Sequence, residues 1–372
     1  MRPAALAAAA ALALATASAG GWPEPRCATT STGVGHLPEA SPDGFEEVEL
    51  PGDATTGLAA LPSGGFAVGV SGPSGVAFLD ARGEAVGVAR ADTIVDRGLL
   101  VSAAGRVFGA SSSQLCAFAR DATLRVCTRV SFGSSAAPTL LADAGLATVI
   151  DRLNDEATLT LFDAEGEARG ALTFRRDRDQ AATEAVATPD GGAVFAISEV
   201  LHFVSRDFAV RRARALGEVR ALAATPRGIA YATDDALVLA DRDGVARARA
   251  ELPSPARGLT ALSDGRVAVL TAATGVEVTL FSDAGERLGA ISVPGRDEVD
   301  VRAADEGAVL VTSDEGVIAR LDADGTTRWR VQVPHGRLRP PALPMRGGGL
   351  IVATTGRRLL RLRPRGPHGD AH

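Results

Sequence analysis

Residues 321–334 read Leu-Asp-Ala-Asp-Gly-Thr-Thr-Arg-Trp-Arg-Val-Gln-Val-Pro. An alternating apolar run enters this stretch, Gly325 marks a tight turn, and a second alternating run leaves it. A period of two between apolar residues spells a β-hairpin, not a helix. Weaker copies occur at 79–88 (Leu-Asp-Ala-Arg-Gly), 162–171 (Phe-Asp-Ala-Glu-Gly), 239–248, 281–293 and 362–366. Thr123 and Phe208 fill the turn slot in two degenerate copies. The slots are 83, 123, 166, 208, 244, 285, 325 and 366, a period close to 40.

A second comb of turns runs at the same pitch. Pro62-Ser63-Gly64-Gly65 is followed by Ala103-Ala104-Gly105, Asp143-Ala144-Gly145, Pro189-Asp190-Gly191, Pro226-Arg227-Gly228, Ser263-Asp264-Gly265, Asp305-Glu306-Gly307 and Arg346-Gly347-Gly348. Glycine recurs because such turns need a backbone with positive φ. Between the two combs lie short alternating runs, four per repeat, as in 58–61, 66–70, 76–79 and 85–89. Four short strands in a repeat of about 40 residues predict an all-β fold, a β-propeller of eight four-stranded blades.

The units begin near Ala54, Val95, Ala136, Ala181, Val219, Ala256, Glu298 and Arg337. The eighth stops at Gly366, where its fourth strand should start. Glu47-Val48-Glu49-Leu50-Pro51 resembles the fourth strands Ile291-Ser292-Val293-Pro294 and Val331-Gln332-Val333-Pro334. An N-terminal strand is therefore expected to close the ring, since an unfinished blade would expose an unpaired edge. The propeller spans 45–366, with a disordered tail at 367–372.

Residues 1–19 read as a signal peptide: Arg2, the apolar run 4–15, then Ala17-Ser18-Ala19 as the cleavage site. A short anchoring helix is the alternative. The Pro-, Gly-, Ser- and Thr-rich stretch 20–44 reads as a flexible arm. The expected location is exported, either periplasmic or secreted. A net charge of −6 and a pI near 5.5 argue against a nucleic-acid partner. Aromatic residues make up only 4%, so Ala, Val and Leu must fill the core.

The run from Leu321 to Trp329 resembles the repeat of the PQQ-like β-propeller family. That family includes quinoprotein dehydrogenases and the propeller lipoprotein of the outer-membrane barrel-assembly machinery. The resemblance implies that a Trp four residues after the turn Gly packs between blades. Trp329 keeps this residue, and its equivalents are Gly87, Cys127, Gly170, Ala248 and Gly289. The quinone enzymes of the family also use an adjacent Cys-Cys pair, a Ca²⁺ held by Glu, Asn and Asp, and a Trp beneath the cofactor. No Cys-Cys occurs here, and Trp22 is the only other Trp. No cofactor is expected.

Other chemistries lack their spacing. The five His residues form one His-x-x-x-His, His368–His372 in the tail, with no helical pattern around it, and there is no Cys-x-x-Cys-His or Gly-x-Ser-x-Gly. Asn154 with Asp151, Asp155 and Glu156 offers oxygen atoms to a hard cation, but reads better as a solvated acidic loop. Cys116 and Cys127 face each other across a predicted hairpin. Export would permit a disulfide, and two buried thiols are the alternative. Cys27 is left over.

The interblade loops and the loops between second and third strands share one face. There the longest, most charged loops present Asp155, Glu156, Arg176 and Arg178, flanked by Asp234, Asp235, Asp314, Glu315, Arg296 and Asp297. Charged loops on a rigid ring suit recognition of a protein or cell-surface component. The expectation is a monomeric, non-enzymatic protein-binding or scaffold module of the bacterial cell envelope. The alternative is a quinone-dependent dehydrogenase-like or lyase-like propeller enzyme.

Overall fold

The computed structural model describes residues 37–38, 41–42 and 44–363, apart from 112, 131–133, 136–137, 153–154, 178–179, 189, 263, 273–274, 296–297, 305–306, 334–336 and 346–347. It is an all-β, eight-bladed propeller. Blade 1 comprises Ala54–Ala60, Phe66–Val70, Gly75–Leu79 and Ala85–Arg90, paired in sequence order. Blades 2 to 7 follow at 99–129, 134–175, 186–214, 221–251, 256–293 and 299–332. In blade 3, Ser134–Ser135 and Thr139–Leu140 both pair with Leu146–Arg152 as the innermost strand.

Blade 8 takes three strands from Leu338–Pro344, Leu350–Thr354 and Arg358–Leu362, and its fourth is Phe45–Glu49. The closing register pairs Phe45 with Leu362, Glu47 with Leu360 and Glu49 with Arg358. Charge marks that register. Glu47 bonds Arg358 at 2.5 Å and Glu46 bonds Arg363 at 3.0 Å, with Arg361 3.5 Å away. The Arg363 hydrogen bond, then Arg361, holds the Glu46 carboxyl below its ordinary range. These pairs are exposed, so they select the register more than they stabilise the ring.

Second and third strands are buried on both faces, as in Phe66–Val70 and Gly75–Leu79. Hence they read as continuous apolar runs, whereas outer strands such as Ala246–Glu251 alternate. The large fully buried side chains include Phe78, Phe108, Phe118, Phe162, Phe195 and Tyr231.

The Asp that opens several of these turns has a definite task, although in blade 7 Asp322 instead pairs with Arg320 and Arg328. Asp80 Oδ1 accepts from the backbone N–H of Arg82 and Glu84 at 2.8 and 2.9 Å, and Gly83 then takes a φ of 80°. Asp163 and Asp241 repeat these bonds, and the Ser282 hydroxyl replaces them in blade 6. A side chain that mimics a backbone acceptor favours this turn over an open loop. In blade 2 the left-handed residue is Ala122, at φ 60°, not Thr123. Thr123 is drawn one place further on because its N–H and hydroxyl both bond the Asp121 carboxylate. Phe208 holds the slot in blade 4 at φ 62°.

The turn residue of each blade leans on the outer strand of the blade before it. A Cβ placed at Gly87 would lie 3.1 Å from the Ala122 Cβ, and one at Gly170 would lie 2.7 Å from the Phe208 ring. Ala248 faces Gly285 and Gly289 faces Gly325 in the same manner. In blade 2, Val126 takes this place, opposite Gly166, and not Cys127. Moving the blade 2 slot to Ala122 moves its companion by one residue as well. Trp329 is the bulky occupant of this position. It is buried with Leu338, Leu350 and Leu360 between blades 7 and 8.

Within the stretch 20–44, Leu37 and Pro38 dock here. Leu37 is buried in the Trp329 cluster. The Pro38 carbonyl accepts from Trp329 Nε1 at 2.9 Å and from Arg320 Nη1 at 3.1 Å.

Candidate functional site

The loop face is built by the turns between second and third strands together with the interblade connections. In blade 3, Glu156 opens the third strand opposite Arg175, the last residue of the outer strand. The next residue, Arg176, donates its backbone N–H to the Asp155 carbonyl at 3.0 Å. Thus Asp155, Glu156 and Arg176 come together at the lip of one blade. Arg178 lies outside the described residues, as do Asn154, Arg296, Asp297 and His335.

The Arg176 loop is folded onto itself. Its guanidinium donates to the carbonyls of Asp177 at 3.1 Å and Gln180 at 2.6 Å, while the Asp177 N–H bonds Gln180 Oε1 at 3.2 Å. Asp155 sits at φ 59°, a left-handed conformation that aims its carbonyl at Arg176. The described residues Asp155 and Arg176 are therefore joined at the lip of the blade.

The same face continues over blades 4 and 5 as ion pairs. Arg220 grips Asp234 bidentately at 2.8 and 3.1 Å and also bonds Glu218 at 2.8 Å. The Arg220 hydrogen bond lowers the Asp234 carboxyl below its usual range. Arg249 bonds Asp235 at 2.9 Å, and Arg214 bonds Glu199 at 3.0 Å. Asp314, read from sequence as part of the rim, is buried, and its backbone carbonyl accepts from the Leu338 N–H.

Along the axis, the first strands are less uniformly apolar than Leu58-Ala59-Ala60-Leu61 and Ala221-Leu222-Ala223-Ala224 imply. Thr225, Thr260 and Arg302 are buried polar residues on them. Arg302 Nε donates to Asp300 Oδ2 at 3.0 Å, while both of its amino groups are buried without a hydrogen-bond acceptor. The Asp-x-Arg pattern at 300–302 was the signal available in sequence for this buried pair. Among the described residues, no group of three or more His, Cys, Asp and Glu residues is placed to hold a metal ion.

Two residues with environment-shifted protonation lie in blade packing, not on the rim. His202 stacks on Phe195 at 5.1 Å and meets the Phe174 edge at 4.8 Å. Burial, followed by the charge of Arg212, lowers its pKa to about 4. Burial raises the Tyr231 hydroxyl, whose oxygen accepts the Leu216 N–H at 3.0 Å. Cys116 and Cys127 are directly opposed in blade 2 and joined as a disulfide. On the opposite face, between blades 4 and 5, lies a cavity of 340 Å³ lined by Phe203, Ile229, Arg211 and Arg242. No repeat motif marked it, because residues from two blades and four turns compose it.

No family model matches the chain, and no curated protein matches it. Solved structures do share its fold. BamB from Moraxella catarrhalis superposes with a TM-score of 0.62 at 16% identity, over 86% of this chain and 98% of that one. Dihydro-heme d1 dehydrogenase NirN, in complex with DHE, gives 0.63 at 16% identity, over 86% and 78%. Streptogramin B lyase gives 0.53 at 11% identity, over 86% and 96%. Among the described residues, no helix is long and apolar enough to cross a membrane.

Proposed function

We propose that this chain is an exported, non-enzymatic binding module of the bacterial cell envelope, a divergent member of the PQQ-like propeller family, that holds a protein partner on its loop face. The observation that carries the reading is the placement of Asp155, Glu156 and Arg176 together at one lip of blade 3, with Arg176 hydrogen-bonded to Asp155, Asp177 and Gln180. Side chains already held in place lose less entropy on binding, which favours recognition. Mixed charge around the rim gives orientation and specificity more than affinity. The repeat at 321–329 supports the same direction, because the family it resembles includes a barrel-assembly component. Sharing a fold with a lyase and a dehydrogenase assigns neither activity to this chain.

The test is capture from the native envelope by the purified chain, compared with E156K and R176E, at low and high salt. A specific partner should be retained by the wild type, weakened by either substitution and released by salt. Capture indifferent to both substitutions and to salt would sink the rim as the binding surface. Dye-linked turnover of alcohols or sugars after addition of quinone and Ca²⁺, abolished by changing Asn154 and Asp155, would establish the enzymatic alternative instead.

A further inference from the structure

The cavity between blades 4 and 5 opens on the face of tight turns, away from the rim. Its wall is apolar: Phe203, Val204, Val210 and Ile229, with Ala187, Ala193 and Ala209. At 340 Å³ it is large enough for a small ligand. At this seam Gly244 of blade 5 leans on Ala213 and the Phe203 ring of blade 4. Phe208 of blade 4 leans back onto Gly170 of blade 3. On its other side, Arg211 adds hydrogen bonds to that same turn of blade 5.

Three charged residues line the cavity: Asp190, Arg211 and Arg242. Asp190 is occupied within its own turn, accepting the Thr188 hydroxyl at 2.5 Å. Arg211 lies over the Phe203 ring at 4.0 Å and donates to the carbonyls of Arg242 and Asp243, each at 2.8 Å. The Asp243 carboxylate, 3.6 Å away, offsets its charge. Arg211 thus ties the two blades together. Arg242 is exposed, and its guanidinium has no hydrogen bond or ion pair among the described residues. One cation is left over at the edge of an apolar hollow.

We propose that this cavity binds an apolar group ending in a carboxylate, with the apolar part against Phe203, Val204 and Ile229 and the carboxylate paired with Arg242. A guanidinium is suited to such a partner because its planar donors match a carboxylate's two oxygens. Either a free organic acid or the C-terminus of a peptide ending in an apolar residue carries this chemistry. The site is independent of the loop rim, so its fate and that of the binding-module reading are separate.

The full mature chain is titrated with 4-phenylbutyrate and with its neutral amide, by calorimetry and by saturation-transfer NMR. A short peptide ending in Leu-Phe is tested in free-acid and amidated forms. Each acid should bind several-fold tighter than its amide, and R242A should remove that preference. Ala209 is exposed on the lining, so A209F should fill the hollow while leaving the fold intact, and abolish binding of both forms. Binding of the small acid alone would identify a metabolite-sized ligand, whereas binding of the free-acid peptide would identify a chain terminus. Amides that bind as well as acids, binding that survives A209F, or no binding of either acid by about 10 mM would overturn the proposal.

Discussion

Gly289 and Gly325 touch across the seam between blades 6 and 7: a Cβ at Gly289 would lie 2.5 Å from the Gly325 carbonyl oxygen. Gly170 occupies the same place in blade 3, but there the obstacle is the far end of the Phe208 ring, at 2.7 Å. A ring tip can swing aside, whereas a turn backbone in a close-packed seam cannot. G289A is therefore expected to cost about 2–3 kcal/mol through overpacking, and G170A less than about 1 kcal/mol. Urea unfolding of both variants checks the difference, and equal costs would contradict it.

Removing Phe45–Glu49 strips blade 8 of its outer strand and exposes the Arg358–Leu362 edge. The shortened chain should associate through that edge. Light scattering and size-exclusion chromatography report the outcome. A monomer with unchanged melting temperature would contradict the pairing.

His202 makes stability depend on pH in one direction. Its folded pKa, about 4, lies below the ordinary 6.5. The unfolded chain therefore takes up a proton first as pH falls. Stability is unaffected by this group above pH 6.5 and declines between 6.5 and 4, by of the order of 3 kcal/mol in all. H202F should flatten that part of the wild-type profile. The same slope in both proteins would assign it to other groups.

The disulfide of blade 2 closes a short loop, with 11 residues separating Cys116 from Cys127. Non-reducing peptide maps should contain one crosslinked pair, and reduction should lower stability by about 2–3 kcal/mol. Finding both cysteines alkylated without reduction would exclude the bond.

Repeating backbone features were legible in the sequence, because they depend on residues at fixed offsets. The Asp-Ala-x-Gly turns, the blade count and the closing strand all follow from glycine spacing and alternation. Thr123 was misplaced by one residue because, without glycine, nothing local distinguishes Ala122 as the left-handed position. The docking of Leu37 and Pro38 was not legible either. It depends on Trp329, 291 residues beyond Pro38. The cavity is hidden for a similar reason: Phe203 and Ile229 look like ordinary strand residues until two blades meet. Asp155, Glu156 and Arg176 could be grouped in advance because loop order alone puts them on one face.

The closing strand also fixes an order of events. Residues 45–49 leave the ribosome before any blade, yet their partners at 358–362 emerge only after seven others have been made. No pause in synthesis can finish the ring early. Until the final hairpin appears, the circle is an arc with two loose ends, and a strand made before any blade is the last to find its place. Interruption of synthesis before residue 358 leaves an arc that cannot close through Phe45–Glu49.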